Sequence, residues 1–108
     1  MNAILVDTGP LVALLDRSDP FHQNCREAFQ GLTDDLVTVW PVLTEAMYML
    51  NSSWDAQSAL WDLVITGPVK ILPLLDDDMV RIKELMEKYR DLPMDLADAV
   101  LVRMAERE

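Results

Sequence analysis

Three short runs of strand-forming apolar residues punctuate this chain, and each is followed by a longer stretch with helical spacing: Ala3-Ile4-Leu5-Val6, Leu36-Val37-Thr38-Val39-Trp40 and Val69-Lys70-Ile71-Leu72. The first run does not alternate apolar with polar positions, which suits a strand buried on both faces. Strands that alternate with helices three times predict an α/β architecture, a parallel sheet with helices on both faces. With 108 residues there is room for one core, so the chain is read as one domain over 1–108.

The intervening segments carry helix punctuation. Asp7-Thr8-Gly9-Pro10 offers a start, with Leu11, Leu14 and Leu15 following at helical spacing. A second helix is expected from Phe21 to Leu32, with Cys25, Ala28, Phe29 and Leu32 on one face. Pro41 opens a third that runs to Leu50, and Ser52-Ser53 caps a fourth that Gly67-Pro68 stops. Asp76 to Arg90 places Met79, Ile82, Met86 and Tyr89 on one stripe, with Glu84 and Lys88 as an (i, i+4) pair. Asp95 begins the last helix, with Leu96, Ala99, Val100 and Val102 or Met104 turned inward.

Composition narrows the function. The net charge of −10 argues against binding nucleic acid through a basic patch, but suits an enzyme whose carboxylates hold cations. Cys25 is the only cysteine, which excludes an internal disulfide and a cysteine metal cluster. No run approaches the roughly 20 apolar residues of a membrane-spanning helix, and the start has no basic region typical of a secretory signal. A cytoplasmic protein that does not engage a membrane is expected.

Four acids fall where a parallel α/β domain keeps its chemistry. Asp7 ends the first strand, at the edge where open parallel sheets bind ligands. Glu45 lies in the first turns of the helix after the second strand, and Asp95 and Asp98 share a face of the last helix. Grouped carboxylates repel unless a divalent cation neutralises them, and Mg²⁺ and Mn²⁺ favour oxygen ligands. Each acid also has a plainer reading: Asp7 or Thr8 as an N-cap, Asp95 with Asp98 as a capping arrangement, and Glu45 as a solvated residue.

The stretch Val6-Asp7-Thr8-Gly9-Pro10-Leu11-Val12-Ala13-Leu14-Leu15-Asp16 resembles the opening of a PIN domain of the VapC-like toxin class. Val42-Leu43-Thr44-Glu45-Ala46 resembles its second motif, and Met94-Asp95-Leu96-Ala97-Asp98-Ala99 its third. The resemblance implies a PIN-like three-layer fold and a Mg²⁺- or Mn²⁺-dependent endoribonuclease. It implies Asp7, Glu45 and Asp98 as catalytic metal ligands, Asp95 as a further ligand, and Thr8 as a hydroxyl beside the site toward substrate. It also implies an RNA substrate, an antitoxin partner that blocks the acidic cleft with a basic side chain, and a homo-oligomer. Such domains continue past the last helix into another strand bearing a further acid. This sequence stops at Met104-Ala105-Glu106-Arg107-Glu108, so the sheet is expected to lack its final strand. The competing reading is a non-catalytic PIN-like module that keeps the fold and its protein contacts.

Other signals carry less. Asp7-Thr8-Gly9 is also the tripeptide of aspartic proteases, but that fold is nearly all strand and long helical patterns dominate here. A phosphotransfer receiver would need paired acids after its first strand and a lysine after a late one, and neither is present. His22 has no second histidine or nearby cysteine and reads as a surface or half-buried residue. Trp54 and Trp61 read as core or a subunit contact, and Met47, Met49, Met79 and Met86 as core filler.

Overall fold

The computed structural model describes residues 3–92 and 94–107. Strand β1 (Ala3–Leu5) leads into helix α1 (Thr8–Leu15), and α2 (His22–Gln30) follows. Strand β2 (Asp35–Thr38) then leads into α3 (Trp40–Met49) and α4 (Trp54–Ile65). Strand β3 (Val69–Ile71) leads into α5 (Asp76–Lys88) and α6 (Leu96–Arg107). The sheet order is β1-β2-β3 and both pairings are parallel, with Leu5 beside Val37 and Thr38 beside Ile71. The α/β expectation therefore holds: among the described residues, a three-stranded parallel sheet is flanked by six helices. Among the described residues β1 has a neighbour on one side only.

Local chemistry sets the boundaries. The Ser53 hydroxyl accepts from the Ala56 backbone N–H at 3.1 Å and so caps α4. Gly67, with φ +101°, makes the turn into β3 that a side chain would strain. Trp40, expected at the end of the second strand, instead opens α3, because Pro41 suits a first helical turn and ends the run of extended residues.

Val6, Leu11, Val12, Val39, Val42, Leu43, Leu60, Ile82, Leu85, Val100 and Met104 form one buried cluster between sheet and helices. Several expected core positions lie outside it. Met79 is 60% exposed and Met49 58%, and Leu96 is also exposed while Ala97 is buried. Helix α2 buries no residue fully, and Trp54 is exposed at 67%. The buried stripe of α5 is Asp78, Ile82 and Leu85, a rotation from the one its methionines suggested. Glu84 pairs with Arg81 at 3.3 Å in place of Lys88, whose ammonium lies 5.3 Å from the centre of the Tyr89 ring. No helix among the described residues is long and apolar enough to cross a membrane.

Candidate active site at the carboxyl edge of the sheet

Parallel strands deliver their carboxyl ends to one edge, so Asp7, just beyond β1, and the first turns of α3, just beyond β2, arrive together. Asp7 sits in extended conformation and caps α1, its Oδ1 accepting from the Thr8 backbone N–H at 2.7 Å. Thr8 is buried, and its hydroxyl donates to Glu45 Oε2 at 2.9 Å. That single bond ties α1 to α3 and puts the Glu45 carboxylate beside the Asp7 turn. The Thr8 hydroxyl, which the sequence reading set beside the site toward substrate, is thus engaged with an acid. Asp7 is exposed and Glu45 half-buried, which leaves both open to an incoming ligand.

Asp95 and Asp98 meet each other at the start of α6. The Asp98 N–H donates to Asp95 Oδ1 at 2.9 Å, and the Asp95 N–H donates to Asp98 Oδ2 at 3.3 Å. This reciprocal pattern is a capping arrangement, which accounts for both acids at a helix start without requiring a ligand. Asp98 is half-buried and Asp95 exposed, and α6 packs against α3, the helix that carries Glu45. No three acids among the described residues already stand as a ready set of metal ligands.

Charge separates these acids from the rest of the molecule. Among the described residues Arg81 pairs with Glu84 and Glu106, and Arg103 and Arg107 pair with Asp78. None of these pairs involves Asp7, Glu45, Asp95 or Asp98. Carboxylates that accept hydrogen bonds on one oxygen and meet no basic side chain are a donor set for a hard cation. Mg²⁺ needs only one or two of them, completing its shell with water and phosphate oxygen. The donor set fits such an ion.

Thr38 escaped the sequence reading. It is fully buried at the end of β2, and its hydroxyl donates to the Val6 carbonyl at 2.8 Å, one residue before Asp7. A threonine in a strand is ordinary by propensity, and no spacing marks this one.

The PIN domain family model matches residues 4–108. The chain belongs to the PIN domain family. Ribonuclease VapC26 of Mycobacterium tuberculosis is 26% identical to it over 106 residues, which is 96% of this chain and 78% of that protein. Among solved structures, VapC20 of Mycobacterium tuberculosis, described as a sarcin-ricin loop cleaving toxin, superposes with a TM-score of 0.87 at 18% identity. The match covers 98% of this chain and 82% of VapC20. This PIN domain therefore shares its architecture with that toxin, and the resemblance read from its three motifs holds at the level of family and fold.

Proposed function

We propose that this PIN domain is a divalent-metal-dependent endoribonuclease of the cytoplasm and the toxin half of a toxin–antitoxin pair. The observation that carries the reading is the Asp7–Thr8–Glu45 linkage at the carboxyl edge of the sheet, where neither acid has a cationic partner among the described residues. Family membership and the names of its relatives, a ribonuclease and a sarcin-ricin loop cleaving toxin, support the same reading.

In this mechanism Asp7 and Glu45 would hold the ion, Mg²⁺ or Mn²⁺, with Asp98 as a third acid and Asp95 as a further one. A bound divalent ion supplies Lewis acidity toward the phosphoryl oxygens and lowers the pKa of water at neutral pH. The chain's own part is to fix and to screen. The Thr8 hydroxyl fixes one oxygen of Glu45, leaving the other for the ion. Asp7 is fixed by capping α1, with its Oδ1 engaged by the Thr8 N–H. The net charge of −10 repels free RNA, and a cation held by these carboxylates would offset that repulsion toward a phosphodiester. An antitoxin would silence the site by setting a basic side chain among these acids, taking the place of the cation.

The test is cleavage of a single-stranded RNA by the purified chain in Mg²⁺, in Mn²⁺ and in excess chelator. Cleavage in either metal and none in chelator is the expected result. Equal cleavage in chelator would remove metal catalysis, and no cleavage under any condition would favour the non-catalytic module.

A further inference from the structure

Thr38 touches the exits of all three strands. Its backbone carbonyl accepts from the Leu72 N–H at 2.9 Å, just past β3. Its hydroxyl donates to the Val6 carbonyl at 2.8 Å, just past β1, and α3 begins two residues after it. The Val6 N–H meanwhile donates to the Val37 carbonyl at 2.8 Å, so Val6, the last residue before Asp7, is held at both its N–H and its carbonyl by β2.

A regular parallel ladder meets such a carbonyl with a backbone N–H from the neighbouring strand. Here a side-chain hydroxyl meets it. This lets the backbone of β2 turn away into α3 while β1 stays anchored. Asp7 hangs from the held peptide in extended conformation, with φ −88° and ψ 174°, so a tilt of that peptide is carried directly to its carboxylate. Glu45 is carried by α3, which leaves the sheet from the same threonine.

We propose that Thr38 is a positioning residue for the metal site: its buried hydroxyl, bonded to the Val6 carbonyl, fixes the spacing between Asp7 and Glu45. This rests on the metal-binding reading above. The side chain is fully buried and touches neither ion nor substrate, so its effect is transmitted through the backbone. Groups that orient ligands from behind are commonly worth about 10- to 100-fold in metal affinity.

The experiment is a calorimetric Mn²⁺ titration of the chain and four variants, run well below every unfolding midpoint. Thr38→Val keeps the shape and removes the donor. It is expected to weaken Mn²⁺ binding by about tenfold or more. Thr38→Ser restores the hydroxyl and should return binding to near the parent value. Thr38→Cys keeps a weak donor of similar size and should fall between, and it carries the test if the valine variant does not fold. Leu60→Ala, on α4, removes fully buried side-chain volume and touches neither Thr38's bond nor the acids. It should lower the unfolding midpoint without changing Mn²⁺ affinity, so a loss caused by weakened folding alone would appear there too. Parent-like binding by the valine or cysteine variant overturns the role of Thr38, as does an equal loss in Leu60→Ala. Absence of Mn²⁺ binding by the parent chain overturns the metal reading itself and this role with it.

Discussion

Asp7→Asn is expected to lower RNA cleavage by on the order of 100- to 1,000-fold, the scale seen when one charge-stabilising group is lost from an active site. The substitution keeps the shape of the side chain and one carbonyl oxygen. That oxygen can still accept from the Thr8 N–H, and asparagine caps a helix as well as aspartate does. Thermal midpoint and far-ultraviolet circular dichroism should therefore match those of the parent. What disappears is the negative charge that balances the cation. Cleavage by Asp7→Asn at the parent's rate, in the same Mg²⁺, would separate the activity from this edge of the sheet.

The second large effect concerns folding and lies at Asp78, on the first turn of α5. Its side chain is only 1% exposed, yet it is ionised and fully engaged. Oδ1 accepts from Arg103 Nε at 2.7 Å, and Oδ2 accepts from the Leu75 N–H at 2.8 Å and from Arg107. Arg107 also donates to the Pro73 carbonyl at 2.9 Å, so the loop before α5 is bound to the last turn of α6. The Leu75 N–H, followed by Arg103 and Arg107, holds the Asp78 carboxyl below the usual aspartate range. Removing one member of a buried ion group leaves the others uncompensated, which costs far more than losing a surface pair. Asp78→Ala is thus expected to lower the unfolding midpoint several times more than Arg81→Ala, which breaks only the partly exposed pairs with Glu84 and Glu106.

The pH dependence follows from the same depressed pKa. A carboxyl with a lower pKa folded than unfolded contributes stability that is fully present above its unfolded value, about 3.9. That contribution is lost as pH falls through the lower, folded value. Glu106, held down by Arg81, adds to the same acid limb. Urea unfolding followed by tryptophan fluorescence should show the parent losing stability below about pH 4, with Asp78→Asn following a flatter curve over the same range. Parallel curves would mean that Asp78 does not drive acid unfolding.

Much of the fold is written locally. The unbroken apolar run Ala3-Ile4-Leu5-Val6, the Ser53 cap and the Gly67-Pro68 stop each specify a boundary with residues that adjoin it. The strands end slightly earlier than read, at Leu5, Thr38 and Ile71, although the Val6 and Leu72 N–H groups just beyond β1 and β3 still donate to carbonyls of β2. Asp7 was legible for the same reason, standing between a strand pattern and a helix pattern. Asp78 was not. In Asp76-Asp77-Asp78 it reads as one of three charges at a helix start, and its arginines lie 25 and 29 residues later on another helix. Met79 and Met86 misled because the stripe that α5 buries includes an aspartate, which hydrophobic spacing cannot score as core. Thr38 and the Thr8–Glu45 bond depend on contacts across 32 and 37 residues, so no local pattern announces them. Asp95 and Asp98 adopt the capping arrangement, and the spacing alone could not tell it from a pair of ligands, since both ask for the same residues.

The most direct measurement of the central claim is anomalous scattering from crystals of the chain grown in Mn²⁺. A peak bonded to Asp7 and Glu45 at the carboxyl edge of the sheet, absent from crystals of Asp7→Asn, is the predicted result. A saturated crystal with no peak there, or with Mn²⁺ held only by surface acids such as Asp76 and Asp77, would contradict it.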